Sequence, residues 1–346
     1  MDAAEGLALA KKASVRFAAA GLPPVEASSI ESVATRSVAR LWAGMGSVVE
    51  LRLKPCNVVI IAKKVTLPKR CDSIGDARKK ASYEVEAAFY ETHAERLVAA
   101  GCAVPRPLLV ERRGDGVTIV MTELVGSSGS MDGAQTRRVL SWLAKLHGLY
   151  YGAAKADAAV REGLAAQGEY WYLDTRPDEH AAMPKRGWEG RLRLAARAID
   201  ERLKADKHQT IVHGDAKSAN MLFAKDGEPL LYDFQYVGKA CCAKDLAYCL
   251  CCASAAPDDD ADLVAHYHGE LCKAVVAGPP PSRRAIDDAL ALSYADLGRW
   301  MSGWGWWGHD LEAKIVAVLD KLDGGTALES EGAYAAAMAT AFPVRQ

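Results

Sequence analysis

Residues suited to proton transfer and metal binding crowd one stretch of the chain, IVHGDAKSANMLFAKDGEPLLYDFQ at 211–235: His213, Asp215, Lys217, Asn220 and Asp233. Met221 to Phe223 and Leu230 to Tyr232 read as short apolar strands joined across Lys225-Asp226-Gly227-Glu228, an Asp-Gly hairpin turn. A hairpin brings its ends together, so Asn220 and Asp233 can face a common point. Two oxygen-bearing side chains there suit Mg²⁺, a hard cation that takes oxygen ligands and keeps waters beside substrate phosphates. Asp215, just ahead of the first strand, could orient a hydroxyl and accept its proton. Asp, Asn and Gly are also common turn residues. Three coincident features separate this stretch from a solvated turn: HGD after the apolar Ile211 and Val212, Asn at the fifth place after Asp, and an Asp opening DFQ beyond the hairpin.

The rest of the chain must position these groups. It has 346 residues, 50% apolar and 25% charged, enough for a large core and long for one compact unit, so two lobes are expected. With 43 basic and 44 acidic residues the net charge is −1, and no global field points to nucleic acid or to an anionic membrane surface. The opening MDAAEGLALAKKASVRFAAA carries Asp2 and Glu5 and reads as a helix of the fold rather than a secretory or import signal. The most apolar window, ACCAKDLAYCLCCASAA, is interrupted by Lys244 and Asp245, which argues against membrane insertion. Nine cysteines suit reduced thiols in a cytoplasmic protein. Cys241, Cys242, Cys249, Cys251 and Cys252 lack the paired spacing of zinc sites and read as small buried hydrophobes.

ARLWAGMGSVVELRLK (39–54) and NVVIIAKKV (57–65) predict two strands. The stretch 75–100 predicts a helix, with Val85, Ala88, Phe89 and Leu97 at helical spacing. RPLLVERRGDGVTIVMTEL predicts two more strands around Arg113-Gly114-Asp115-Gly116. After the small-residue linker GSSGS (126–130), Val139, Trp142, Leu143, Leu146 and Tyr150 mark a buried helix face, and helices dominate from there. The expected architecture is α+β: an N-terminal helical extension (1–24), a smaller lobe of antiparallel sheet and one main helix (25–124), and a larger, mostly helical lobe (125–346).

HGDAKSAN followed by YDFQ resembles the catalytic and metal-binding loops of the aminoglycoside phosphotransferase and choline kinase group, within the protein-kinase-like fold; the FQ after Asp233 looks most like its ecdysteroid-kinase-like (CHK) branch. The resemblance implies an ATP- and Mg²⁺-dependent kinase that phosphorylates a hydroxyl, or an amine, of a small molecule. It makes Asp215 the catalytic aspartate, Asn220 and Asp233 the Mg²⁺ ligands, and His213 a prop for the loop. Lys217 sits where protein kinases hold a lysine on the transferred phosphate. VIIAKKV resembles VAIK, with Lys63 matching the phosphate lysine and Lys64 taking the role if the strand register slips by one. In SYEVEAAFY, Glu86 rather than Glu84 fits the family's E-x-x-F-Y pattern for the lysine's partner. Ala43-Gly44-Met45-Gly46-Ser47 stands where the phosphate-covering loop belongs, so that backbone N–H groups of Gly46 and Ser47 could reach a phosphate. VMTELVG resembles the adenine-reading hinge, with Met121 as gatekeeper and Thr122 and Leu124 as backbone contacts.

KDLAYCL resembles the small-molecule families' DLA motif, and its aspartate, Asp245, is expected to brace the catalytic loop. The short run from Asp233 to Asp245, without an APE motif, disfavours a protein substrate. A pseudokinase or nucleotide-dependent scaffold, and a protein kinase, remain the alternatives. For the acceptor, YADLGRWMSGWGWWGHD (294–310) supplies Asp296, Trp300, Trp304 and Trp307, and GEYWYLDTRPDEH (168–180) supplies Asp174 and Arg176. Indole faces with carboxylates are the ingredients of a site for a cationic or quaternary ammonium group, although four tryptophans among helices are equally common as core.

Overall fold

The first of two compact units comprises Met1–Gly126 together with Leu230–Gln235, and the second comprises Ser127–Pro229 and Tyr236–Gln346. The computed structural model describes residues 1–41, 44–67, 72–114, 116–255 and 260–344.

The first unit is built on a five-stranded antiparallel sheet in the order β1-β2-β3-β5-β4. Its strands are β1 (Ser32–Arg40), β2 (Gly46–Lys54), β3 (Val59–Thr66), β4 (Pro107–Arg113) and β5 (Gly116–Thr122). Val49, Leu51 and Leu53 of β2 and Ile60 and Ala62 of β3 are buried. Helix α1 (Ala3–Ala13), capped by Asp2, adds Leu9, Ala10 and Ala13 to the same core. Where a single strand was expected over 39–54, the chain makes β2 from Gly46 on, and a further strand, β1, runs ahead of it from Ser32 to Arg40. β1 escaped notice because it is an edge strand in which Val33 alone is buried, so its sequence shows no apolar alternation. Trp42 and Ala43 of that stretch, and Asp115 of the expected β4–β5 turn, lie outside the described residues.

The helix expected over 75–100 is a compound element: α2 (Ile74–Ala88), a π-helical turn at Phe89–His93, and α3 (Ala94–Ala99). Ser73 caps its start by accepting from the Asp76 N–H at 3.0 Å. The π turn aims Phe89 and Tyr90 at Phe234: the Phe89 and Phe234 rings stack at 3.8 Å between centroids, and Tyr90 meets Phe234 edge-on at 6.1 Å. Such turns are frequent at functional sites, and this one fixes the phenylalanine of DFQ.

The second unit is mainly helical: α4 (Gly133–Leu149), α5 (Ala153–Arg161), α6 (Pro177–Ala182), α7 (Gly187–Lys204), α8 (Ala243–Cys252), α9 (Ala261–Ala274), α10 (Arg283–Trp304), α11 (Glu312–Asp323) and α12 (Glu331–Ala341). α4 opens with a capping box between Asp132 and Gln135 and packs on α9, where Gly148 allows the backbone of Ala274 to approach. α7 packs on α10 and α12, and α10 on α8 and α6. The short strands β6 (Gln209–Val212) and β9 (Gly238–Cys241) pair antiparallel, Val212 opposite Gly238. Two further short strands are β7 (Met221–Phe223), in this unit, and β8 (Pro229–Leu231), most of which belongs to the first. Cys241, Cys242, Cys249 and Cys251 are buried on β9 and in and beside α8. No helix among the described residues is long and apolar enough to cross a membrane.

Candidate active site

In the first unit the sheet resolves the choice between adjacent lysines. β3 turns Lys63 into the interior, 6% exposed, and Lys64 outward to Glu5 at 2.6 Å. Lys63 Nζ lies 2.6 Å from Glu86 Oε2 and 3.3 Å from Asp233 Oδ1. Glu84 points away and pairs with Arg112 on the surface. Burial pushes the Glu86 carboxyl up to about 7 even though Lys63 pulls it down. Burial also opposes the Lys63 charge, but Asp233 and Glu86 outweigh it and hold the ammonium above its ordinary value. Lys63 is the fixed cation of this site.

Asp233 adopts a positive φ of 67°, uncommon for a residue with a side chain. Its Oδ1 accepts from Gln235 Nε2 at 2.7 Å, and Gln235 Oε1 accepts from Lys79 and Ser82, both at 3.2 Å. Gln235 thus ties DFQ to α2. That role passed unnoticed in the sequence, although Gln in place of the glycine of DFG was its signal. Gly46 and Ser47, expected in a covering loop, instead open strand β2 opposite Val65 and Lys64. Gly46 has a φ of 139°, and a Cβ there would collide with the Lys64 carbonyl, so the glycine serves close strand approach. Met121 and Thr122 end β5 and are buried, with Thr122 N–H donating to the Arg106 carbonyl at 3.0 Å; Leu124 follows, partly exposed.

In the second unit a buried carboxylate organises the 211–220 loop. Asp245, near the start of α8, accepts from His213 N–H at 2.6 Å and Gly214 N–H at 3.0 Å, and meets His147 Nε2 at 3.1 Å. His147, on α4, is held on its other nitrogen by Tyr267 OH at 2.7 Å. Nothing in the sequence marked His147: it stands among the apolar residues of a helix and gains its partners only on folding. Gly214 has a φ of 82°, and a Cβ there would strike the Tyr236 carbonyl and the Glu169 nitrogen. The loop then presents Asp215, whose Oδ2 lies 2.9 Å from both Lys217 Nζ and Asn220 Nδ2. Asn220 Nδ2 also donates to the Asp215 carbonyl at 2.9 Å. Because both contacts are with acceptors, the nitrogen of the amide must face Asp215, and Oδ1 is the atom left for a cation.

Beside this loop runs 168–176. Glu169 N–H donates to the Tyr236 carbonyl at 3.0 Å, and Lys244 Nζ meets Glu169 Oε2 at 2.7 Å and Asp296 Oδ2 at 3.2 Å. Arg299, fully buried, donates to Asp296 at 2.9 Å and to the Trp171 carbonyl at 2.7 Å. Burial opposes the Asp296 charge, but Arg299 and Lys244 hold it below its ordinary value; burial raises Glu169 to about 8. Asp296 is therefore a structural anion, not a lining carboxylate. Asp174 also departs from expectation: it is exposed and bound to Arg197 at 2.6 Å and Lys204 at 2.9 Å. Trp300 is core, 2% exposed, while Trp304 stacks on it and stands 58% exposed. Trp307, half-buried, donates its Nε1 to Cys252 Sγ at 3.1 Å. Arg176 joins the aromatic group directly, over the rings of Tyr170, Trp300 and Trp304.

With this geometry in place, the comparisons with known proteins decide the family. The model of the phosphotransferase enzyme family matches residues 72–284, more than half of the chain. The chain belongs to that family. By that family it is a phosphotransferase, and its fold is protein-kinase-like. Among solved structures, an ethanolamine kinase of Plasmodium vivax shares 9% identity, covering 83% of this chain and 81% of its own, with a TM-score of 0.50. A macrolide 2'-phosphotransferase of Brachybacterium faecium shares 19% identity over 84% of this chain and 92% of its own, with a TM-score of 0.45. An aminoglycoside phosphotransferase of Streptomyces rimosus, solved with ADP and streptomycin, shares 17% over 78% and 92%, with a TM-score of 0.42. No curated protein matches the sequence.

Two predictions test the buried charges. Asp245 lies below its ordinary value: burial opposes its charge, but the bonds from His147 and Gly214 and the nearby His213 prevail. A folded value below the unfolded one means that the clamp's contribution is present above about pH 4 and fades as pH falls through the folded value. Asp245→Asn should cost about 3 kcal/mol at pH 7 and less at pH 3, read by urea denaturation at both values. Lys63→Met should also cost about 3 kcal/mol, because it leaves Glu86 buried beside Asp233, and adding Glu86→Leu should recover most of the loss; a double variant as unstable as the single would contradict the pairing.

Proposed function

We propose that the chain is an ATP- and Mg²⁺-dependent kinase of a small metabolite, moving the γ-phosphate of ATP to a hydroxyl of that molecule. The observation that carries this reading is the convergence of Lys217 and Asn220 on one oxygen of Asp215. A carboxylate held from two sides within hydrogen-bond distance is an oriented base, not a solvated turn residue.

Each unit carries part of the chemistry. In the first, Lys63, held by Glu86, supplies fixed positive charge for the phosphates of the nucleotide, and Asp233 supplies a carboxylate oxygen for Mg²⁺. In the second, Asn220 supplies an amide oxygen of the same hard-ligand type. Mg²⁺, when bound with the nucleotide, would neutralise phosphate charge and favour departure of the leaving oxygen. Asp215 orients the acceptor hydroxyl and takes its proton as the oxygen attacks phosphorus in line. Lys217 brings its charge to the place where the transferred group carries negative charge. His213, Asp245 and His147 hold the loop in that arrangement.

The same unit weighs against a protein acceptor. After Asp233 the chain enters β9 at Gly238 and α8 at Ala243, so Asp245 comes into its clamp without an intervening activation segment. A scaffold without turnover would have no use for the paired Lys217 and Asn220.

Asp215→Asn should lower phosphoryl transfer by about 10²–10⁴-fold while nucleotide binding persists. The check is ATP consumption, with and without a Mg²⁺ chelator, across a panel of amino alcohols, sterol-like alcohols and aminoglycosides, with nucleotide affinity measured separately. An Asp215→Asn enzyme with wild-type turnover would sink the mechanism, and labelling of proteins but of no small molecule would sink the substrate class.

A further inference from the structure

The aromatic group next to Asp215 has the makings of a cation box. Tyr170, Trp300 and Trp304 turn their faces to one point, Trp307 meets Trp300 edge-on at 4.7 Å between centroids, and Tyr248 joins through its hydroxyl, 2.7 Å from that of Tyr170. It adjoins the catalytic loop, since Lys217 Nζ stands 2.9 Å from Asp215 and 5.7 Å above the Tyr170 ring. The point at which the faces converge holds a cation already. The Arg176 guanidinium carbon lies 5.3 Å from the centre of Tyr170, 5.4 Å from Trp300 and 5.8 Å from Trp304, all within cation–π range.

Arg176 is built in, not a stray surface side chain. It is 6% exposed, its Nε donates to the Tyr170 carbonyl at 2.8 Å, and one terminal nitrogen donates to Glu179 at 2.9 Å. The carboxylates nearby are likewise held by cations of the chain: Glu179 by Arg176, Asp296 by Arg299 and Lys244, and Glu169 by Lys244. Among the described residues, a cationic acceptor entering here would meet Arg176 at the place its charge would need, while Asp215 is already paired with Lys217 at 2.9 Å, and like charges in a partly desolvated site repel. What the box turns outward is an indole, Trp304, at 58% exposure.

We propose that Arg176 is a specificity-determining residue that fills the cation position of this box from within, so that the acceptor is an uncharged alcohol laying an apolar face on the exposed indole of Trp304. The proposal rests on the reading of Asp215 as the base beside the acceptor, and it reverses the expectation of a quaternary ammonium site drawn from the tryptophans. Arg176 touches no reacting atom in this account. It selects by occupying the place a cationic head group would need.

Binding can be read without turnover, by saturation-transfer NMR and tryptophan quenching, using choline and dimethylbutanol, its uncharged carbon isostere. Wild-type protein should show transfer to dimethylbutanol above that to choline. Arg176→Met, which keeps the length and removes the charge, should bind choline roughly tenfold more tightly than wild type. Equal choline binding in the two proteins, or choline at or above its isostere in wild type, overturns the proposal. Should Arg176→Met fail to fold by circular dichroism, the wild-type comparison of the two probes decides alone. These outcomes stand apart from the kinase reading: absence of phosphoryl transfer to every acceptor would remove that reading, while the probe pair still reports whether the box excludes a cation.

Discussion

The arrangement of the second unit depends on one buried carboxylate. Asp245 accepts two consecutive backbone N–H groups, those of His213 and Gly214, and meets His147. Consecutive N–H groups converge on one acceptor only when the backbone turns sharply, and Gly214 makes that turn at a φ of 82°. The position of Asp215 is the consequence. Its carboxylate is one residue beyond a backbone fixed by a charge-assisted pair of bonds, and such bonds are about twice as strong as neutral ones. The carboxylate is inaccessible to water, so it must be paired to be tolerated. His147 and two N–H groups meet that demand while fixing the loop.

A second buried set does for the 168–176 segment what Asp245 does for the loop. Lys244 is the neighbour of Asp245 on α8, and it reaches Glu169 and Asp296. Adjacent residues of one short helix therefore anchor the two segments that meet at Asp215. Arg299 closes the set by holding the Trp171 carbonyl. Such networks are costly to assemble and add little net stability compared with apolar packing. What they contribute is position, because each charge has few satisfactory partners, and the aromatic residues between Glu169 and Arg176 inherit that precision.

The sequence made some of this legible and hid the rest for physical reasons. The HGD, Asn220 and DFQ pattern stood out because its residues lie close together along the chain, at spacings that turn residues alone do not call for. Lys63 and Lys64 could not be separated from sequence, since adjacent strand residues face opposite ways and one slip exchanges them; the register of β3 against β2 and β5 removes the ambiguity. β1 was invisible because an edge strand with a single buried residue has no hydrophobic period. His147 and Gln235 were hidden differently, and Arg176 was named without its partners. Their roles arise from partners brought close only by folding, as with Arg176 and Trp300, and no local spacing encodes that. The carboxylates expected beside the tryptophans, Asp174 and Asp296, are spent on Arg197, Lys204, Arg299 and Lys244.

One strained residue, Asp233, lies among the candidate site residues. Asp233 holds a positive φ with a full side chain, which costs on the order of 1 kcal/mol or more and persists only where the surroundings over-determine it. They do so here: Gln235 donates to its Oδ1, Lys63 lies 3.3 Å away, and the next residue, Phe234, is fully buried against Phe89. The stacked phenylalanine fixes the residue after the strained one, much as the Asp245 clamp fixes the residue before Asp215. In each unit an acidic side chain is aimed by what is done to its neighbour's backbone or ring: Asp215 by the clamp on the Gly214 N–H, Asp233 by the stack on Phe234.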